Sequence, residues 1–236
     1  GKSTLKLHFY NLKPDLSLIY ETMAIGSPSL VRQMSASILV IIINNTLARL
    51  GGDTSIAVYG LINRLLNFAL MPIFGLCQGF MPIAGYNYGA KRFDKVRNVI
   101  SLSIRYATFI STISFIILMV FPRPLFMIFT KDKILIDECV KSIRLFVLAF
   151  PIVGFQIIGS AMFQAFGHAL ESFVLSISRQ ILILIPLILI LPKFWGLNGL
   201  WLSFPLADCV SALITGLVVI RWFKGIKKKR SSTEHR

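Results

Sequence analysis

The chain has 236 residues, of which 55% are hydrophobic and only 15% charged, with 25 Lys and Arg against 10 Asp and Glu for a formal net charge of +15. A soluble domain averages about 45–50% apolar and about 25% charged residues, so this balance points to lipid as the solvent. The basic residues fall mostly between apolar runs and most of the 19 Phe lie within those runs, which disfavours a nucleic-acid groove built from cations and stacking aromatics and favours anionic headgroups and membrane topology.

The opening stretch, "GKSTLKLHFYNLKPD", has Lys2, Lys6 and Lys13 but neither a long apolar core nor a small-residue cleavage pattern, so no signal peptide is expected. It begins with Gly1 rather than Met and reads as the inside of a longer protein. A membrane-spanning helix needs about 20 mostly apolar residues, and six segments meet that length.

The first span covers 22–48. It places Gln33, Ser37 and Asn44 on roughly one face, with Arg32 and Asn45 beside it. The second, 56–81, has Asn63, Arg64 and Asn67 within one turn, and Gly75 and Gly79 at the spacing that lets membrane helices approach closely. After it comes "PIAGYNYGAKRFDKVRN", in which Pro82 is expected to end the helix and Gly85 and Gly89 to turn the chain. Tyr86 and Tyr88 suit the membrane interface, and Lys91, Arg92, Lys95 and Arg97 pin the loop to the cytoplasmic face.

The third span, 99–121, is followed by a proline-rich and charged gap. In the fourth, 140–166, Gln156, Ser160 and Gln164 recur every four residues near Gly154 and Gly159. Arg179 and Gln180 lie near the cytoplasmic edge of the fifth, 173–191. In the sixth, 197–223, Asp208, Ser211 and Thr215 share a face.

Alternating the gaps between the two sides puts both ends of the chain with the strongly basic loops, on the cytoplasmic side by the positive-inside rule. Pro28, Pro72, Pro82, Pro151, Pro186 and Pro205 fall in or beside spans, where each removes a backbone hydrogen bond and favours a bend.

Asp208 is the acid set well inside a span. A charge at that depth costs on the order of 3 kcal/mol on insertion scales and faces a bundle interior or water. It is the default functional candidate, the alternative being a structural carboxylate satisfied by a neighbouring Ser, Asn or Arg. Polar residues on four other spans add Arg32, Gln33, Asn44, Asn45, Asn63, Arg64, Asn67, Gln156, Gln164, Arg179 and Gln180 as a candidate substrate or ion pathway. Interhelical hydrogen bonding is the simpler alternative for the amides, as is snorkelling or ion pairing for the arginines.

Enzyme chemistry finds no constellation. Gly1-Lys2-Ser3 lacks the glycine-rich turn of a phosphate loop. Cys77, Cys139 and Cys209 are far apart, and His8, His168 and His235 fall in gaps or tails, so no zinc site, disulfide framework or catalytic triad is indicated.

The stretch "GFMPIAGYNYGAKRFDKVRN" resembles the loop after the second helix of the C-terminal lobe in the multidrug and toxic compound extrusion (MATE) family. "IGSPSLVRQ" from Ile25, "YGLINRL" from Tyr59, "MFQAFGHA" from Met162, "SRQILILIPL" from Ser178 and "GLWLSFPLAD" from Gly199 are similar to successive helices of that lobe, in order. The resemblance implies an all-α integral membrane fold in which six transmembrane helices form one lobe of a twelve-helix transporter. It implies a cytoplasmic inter-lobe linker at 1–20, the lobe at 21–223 and a basic cytoplasmic tail at 224–236.

It further implies, for the protein, an antiporter of the bacterial plasma membrane, exporting amphipathic, often cationic compounds in exchange for H⁺ or Na⁺. No cofactor is needed; the partners would be an N-terminal lobe, membrane lipids and small amphipathic substrates, with no nucleic acid. Some branches of the family use a carboxylate in the first helix of this lobe, but no acid occurs between Glu21 and Asp53, so the coupling ion is expected mainly in the N-terminal lobe. Alternatives are a lipid-linked oligosaccharide flippase of the same superfamily and a non-transporting membrane half-protein.

Overall fold

A computed structural model describes the backbone of residues 16–168, 174 and 177–233, and the side chains of 33–168, 174 and 177–223. All regular elements among these residues are helical: α1 (Leu16–Gly89), α2 (Phe93–Val120), α3 (Pro122–Met127), α4 (Lys133–Phe146), α5 (Phe150–Ala165), a π-helical segment (Ser178–Leu184), and α6 (Ile185–Thr233) continuous with it. Helices are the expected answer in lipid, where every backbone polar group must be satisfied within the chain.

Two of these helices are each a pair. Gly52 breaks α1 with φ 63° and ψ −158°, and Gly196 breaks α6 with φ 54° and ψ −137°. Only glycine adopts such angles at no steric cost. A methyl added at Gly199 would sit 2.5 Å from the carbonyl oxygen of Leu191, although eight helical residues span about 12 Å; the chain therefore doubles back at Gly196. Helices α4 and α5 meet at 58° and together make one bent crossing. Counting each half of α1 and of α6, α2, and the bent pair gives six passes, the number anticipated.

Loops one and five meet at one end of the bundle, where a methyl at Gly51 would lie 2.8 Å from Leu197 Cδ1. Near that end Ile43, Leu47, Ile62, Phe126, Leu200 and Phe204 share a core. At the other end Tyr88 stacks on Phe166 with ring centroids 4.3 Å apart, and Phe166 stacks on Trp222 at 4.7 Å. A single aromatic column thus joins the end of α1, the end of α5 and the last crossing, so the loops after the second and fourth passes lie on one side with the chain's C-terminal end, as alternation required.

Several local expectations are corrected. Pro82 does not end its helix, which continues seven residues to Gly89. The reversal is made at 90–92, with Lys91 itself left-handed at φ 55° and its N–H donating to the Tyr88 carbonyl at 3.0 Å. Gly85 serves close packing instead, because a methyl there would be 2.8 Å from the Ala165 carbonyl oxygen. Gly75 and Gly79 touch nothing that a methyl would meet within 4 Å, whereas Gly154 and Gly159 lie hard against α2 and the last crossing respectively.

Prolines 72, 82, 192 and 205 lie within continuous helix, so the chain breaks at glycine. Two others do mark irregularity: Pro151 begins α5 after the bend, and Pro186 follows the π-helical segment. Pro186 cannot donate to the carbonyl four residues earlier and its ring crowds that carbonyl; a widened π turn relieves the crowding.

The loop after α2 folds on its own polar groups. Asp132 caps α4, its carboxylate accepting from the N–H of Ile134 at 2.9 Å and of Leu135 at 3.3 Å, and Arg123 pairs with Asp137 at 3.0 Å.

Candidate functional site

Asp208 lies twelve residues beyond the Gly196 reversal, about 18 Å along the helix and so near the middle of a hydrocarbon core about 30 Å thick. Its side chain is 8% exposed. Arg179 reaches it from the π-helical segment of the preceding crossing: Nε donates to Oδ1 at 2.7 Å, and Nη2 approaches the same oxygen. Ser211 and Thr215, on the face of Asp208, are buried, and Thr215 closes over Gly159 of α5.

Two sequence candidates are therefore brought together as an ion pair. Its members are unequal, since Arg179 is 37% exposed and keeps access to whatever lies outside the lobe. Beside Arg179 in sequence, the Gln180 side-chain oxygen is buried without a hydrogen-bond partner, as is the Gln156 side-chain nitrogen on α5. Buried amide atoms are nearly always paired, so these two are places where a ligand or water would be accommodated.

A second group of candidates is exposed. Asn63, Arg64 and Asn67 project from the second half of α1, eleven to fifteen residues past Gly52 and hence about 16–22 Å from that end, level with Asp208. Asn67 Nδ2 donates to the Asn63 carbonyl at 2.8 Å and lies 3.3 Å from its Oδ1. Gln33 and Asn45 are exposed in the first half, Asn44 is half-buried, and Gln164 is exposed near the end of α5. The Arg32 side chain lies outside the described residues. Among the described residues no hydrogen bond or ion pair joins the exposed group to the Asp208 pair.

Sequence reasoning missed Arg105. It sits in the third crossing, exposed, one helical face in line with Ser101 and Arg97. The signal was present as an i, i+4, i+8 repeat, in the one span that contributed no polar candidate.

Comparison with known proteins places this geometry. The MatE family model matches residues 28–190. The multidrug export protein MepA of Staphylococcus saprophyticus is 24% identical over 208 residues, 88% of this chain and 46% of that protein. MepA of Staphylococcus aureus strain N315 is 26% identical, over 88% of this chain and 45% of its own length. The chain spans about half the length of the curated relatives it matches.

Among solved structures, the MATE multidrug transporter DinF-BH, captured in a ligand complex, is 40% identical with a TM-score of 0.77, covering 93% of this chain and 49% of the transporter. An inward-facing multidrug resistance MATE family transporter of the MOP superfamily superposes with a TM-score of 0.86 at 22% identity, over 94% of this chain and 51% of its own. With a family model over more than half its residues and a fold superposing on half of such transporters, the chain belongs to the MatE family.

Proposed function

We propose that this chain is the C-terminal lobe of a secondary active antiporter that exports amphipathic, often cationic compounds in exchange for H⁺ or Na⁺, its partner being an N-terminal lobe of similar size. The observation that supports this reading most is Asn63, Arg64 and Asn67, three polar residues exposed at mid-membrane depth. Facing acyl chains they would be costly; facing a second lobe across a water-filled cavity they are favourable. Gln33, Asn45 and Gln164 are further exposed polar residues of the same lobe, and rocking of one lobe against the other gives alternating access.

The paired state of Asp208 bears on coupling. A carboxylate already neutralised by a neighbouring guanidinium is a poor resting site for H⁺ or Na⁺, which supports a coupling site mainly in the other lobe and a tuning role for Asp208. The chain's own residues supply this half of the pathway without a cofactor. Its place is the bacterial plasma membrane, with both ends of this chain cytoplasmic.

The test is efflux of ethidium from cells and everted vesicles by the complete two-lobe protein under imposed proton and sodium gradients. Gradient-dependent export by the parent, with Asp208→Asn retaining measurable coupling, fits the reading. A well-folded parent that moves no cation under either gradient would overturn it.

A further inference from the structure

The outward face of α2 changes character along its length in a way the transport reading does not use. Its inner face, Val96, Ile100, Ser103, Ala107, Ser111 and Leu118, packs into the lobe. Away from that face Arg97, Ser101 and Arg105 stand exposed at successive i+4 positions, and the i+4 line winds on around the helix through Phe109, Ile113 and Ile117, with Val120 beside its end, all exposed. Side chains four apart are neighbours, each step turning about 40° around the axis, so these residues form one slanting ridge that winds around the helix, with a basic, hydroxyl-bearing head and a purely apolar tail.

Depth fits the division. The 28 residues of α2 span about 42 Å, about 12 Å more than the hydrocarbon core. With Val120 at the far boundary, Arg105 lies about 8 Å beneath the near one, within reach of headgroup phosphates for a side chain that can snorkel. Arg97 lies above it at the headgroup level. Among the described residues neither guanidinium has a carboxylate partner. Both belong to the same end as Lys91, Arg92 and Lys95, all exposed, and to the turn that the Tyr88 stacking column holds in place.

We propose that this stripe is a binding site for an anionic phospholipid of the cytoplasmic leaflet. The phosphodiester lies between Arg97 and Arg105 and accepts a hydrogen bond from Ser101, while an acyl chain runs along Phe109, Ile113, Ile117 and Val120. Arginine suits this position because its planar fork meets phosphate oxygens two at a time. The apolar tail separates the stripe from the proposed cavity surface, which is polar at the same depth, and makes a lipid rather than a soluble anion the occupant. The inference rests on membrane embedding alone and stands whatever the transporter exports.

The full chain, purified in a neutral detergent, would be titrated with dioleoyl phosphatidylglycerol and with the matching phosphatidylcholine, and retained lipid counted by native mass spectrometry. The parent is expected to prefer phosphatidylglycerol. A basic residue near a membrane surface is worth about 1 kcal/mol, so affinity should fall about fivefold for each arginine replaced and about 25-fold in Arg97→Gln/Arg105→Gln.

Lys91→Gln/Lys95→Gln removes the same charge and should change affinity less than the arginine pair does. Equal losses in the two double variants would mean diffuse surface charge and overturn the site, as would no loss in either or no headgroup preference in the parent. Displacement by excess inorganic phosphate would reduce it to a soluble-anion site and overturn the lipid assignment. Arg97→Gln alone, at the edge of the membrane, supplies the same comparison if the double variant fails to fold.

Discussion

Asp208 and Arg179 neutralise each other across two crossings, so removing either leaves its partner without a counter-charge. Losing one member of a buried pair costs about 3–5 kcal/mol, but the 37% exposure of Arg179 admits screening water, and about 2 kcal/mol is the expected loss for Asp208→Asn. Arg179→Gln should cost at least as much, because the charge it abandons is the deeper one. In Asp208→Asn/Arg179→Gln much of the loss should return; thermal unfolding of the four proteins in one detergent measures the coupling, and additive losses would mean the pair is incidental.

Glycine gives a sharper residue-scale contrast. Gly154→Ala drives a methyl against the Ala107 carbonyl and to 2.9 Å from Ser111 Oγ, for an overpacking loss of about 1–3 kcal/mol. Gly75→Ala, with nothing within 4 Å, should instead gain up to about 1 kcal/mol from helix propensity. The same unfolding experiment tests both, and a loss at Gly75 in the isolated chain would contradict the open face seen there. In sequence the two glycines look alike, since small-residue spacing reports that a close approach is possible without showing which face has a neighbour.

At the scale of elements, the spans were legible because lipid makes length and hydropathy decisive. Their punctuation was less so. Proline was the visible breaker, yet helix α1 runs through Pro72 and Pro82 while Gly52 and Gly196 make the breaks. A proline removes one hydrogen bond that a bundle can absorb, whereas a left-handed residue redirects the chain. Gly196→Ala should accordingly cost about 1–3 kcal/mol, read as a lowered unfolding temperature; an unchanged transition would show that the hairpin does not depend on that conformation.

The bend between α4 and α5 was marked in the sequence only by Pro151, within a run, 140–166, that otherwise reads as one apolar span. Asp208 was visible as an intramembrane acid, but the identity of its partner was not: that depends on the rotation of the fifth crossing, which the π-helical segment sets and a regular 3.6-residue reading would misplace.

For the whole molecule, the contacts at the two ends fix which loops share a side: Gly51 with Leu197 at one, and Tyr88 with Phe166 and Trp222 at the other. The proposed topology puts the second end, with Lys91, Arg92, Lys95 and Arg97, in the cytoplasm by the positive-inside rule. Single cysteines introduced at Lys91 and at Lys193 in a background lacking Cys77, Cys139 and Cys209 should therefore label oppositely with a membrane-impermeant maleimide. Lys91→Cys should react in everted vesicles and Lys193→Cys in right-side-out ones; the reverse pattern would invert the topology.

The reversal at Gly196 also bears on how the chain enters its membrane. The π-helical segment and the helix beyond Gly196 form a hairpin closed by a single non-helical residue, so they can meet as soon as both have been synthesised, with little loop to close. Arg179 and Asp208 face each other across that hairpin. Inserted as a unit, the two segments carry their opposite charges into lipid already joined, and the step in which a lone arginine or a lone aspartate is threaded into hydrocarbon never has to occur.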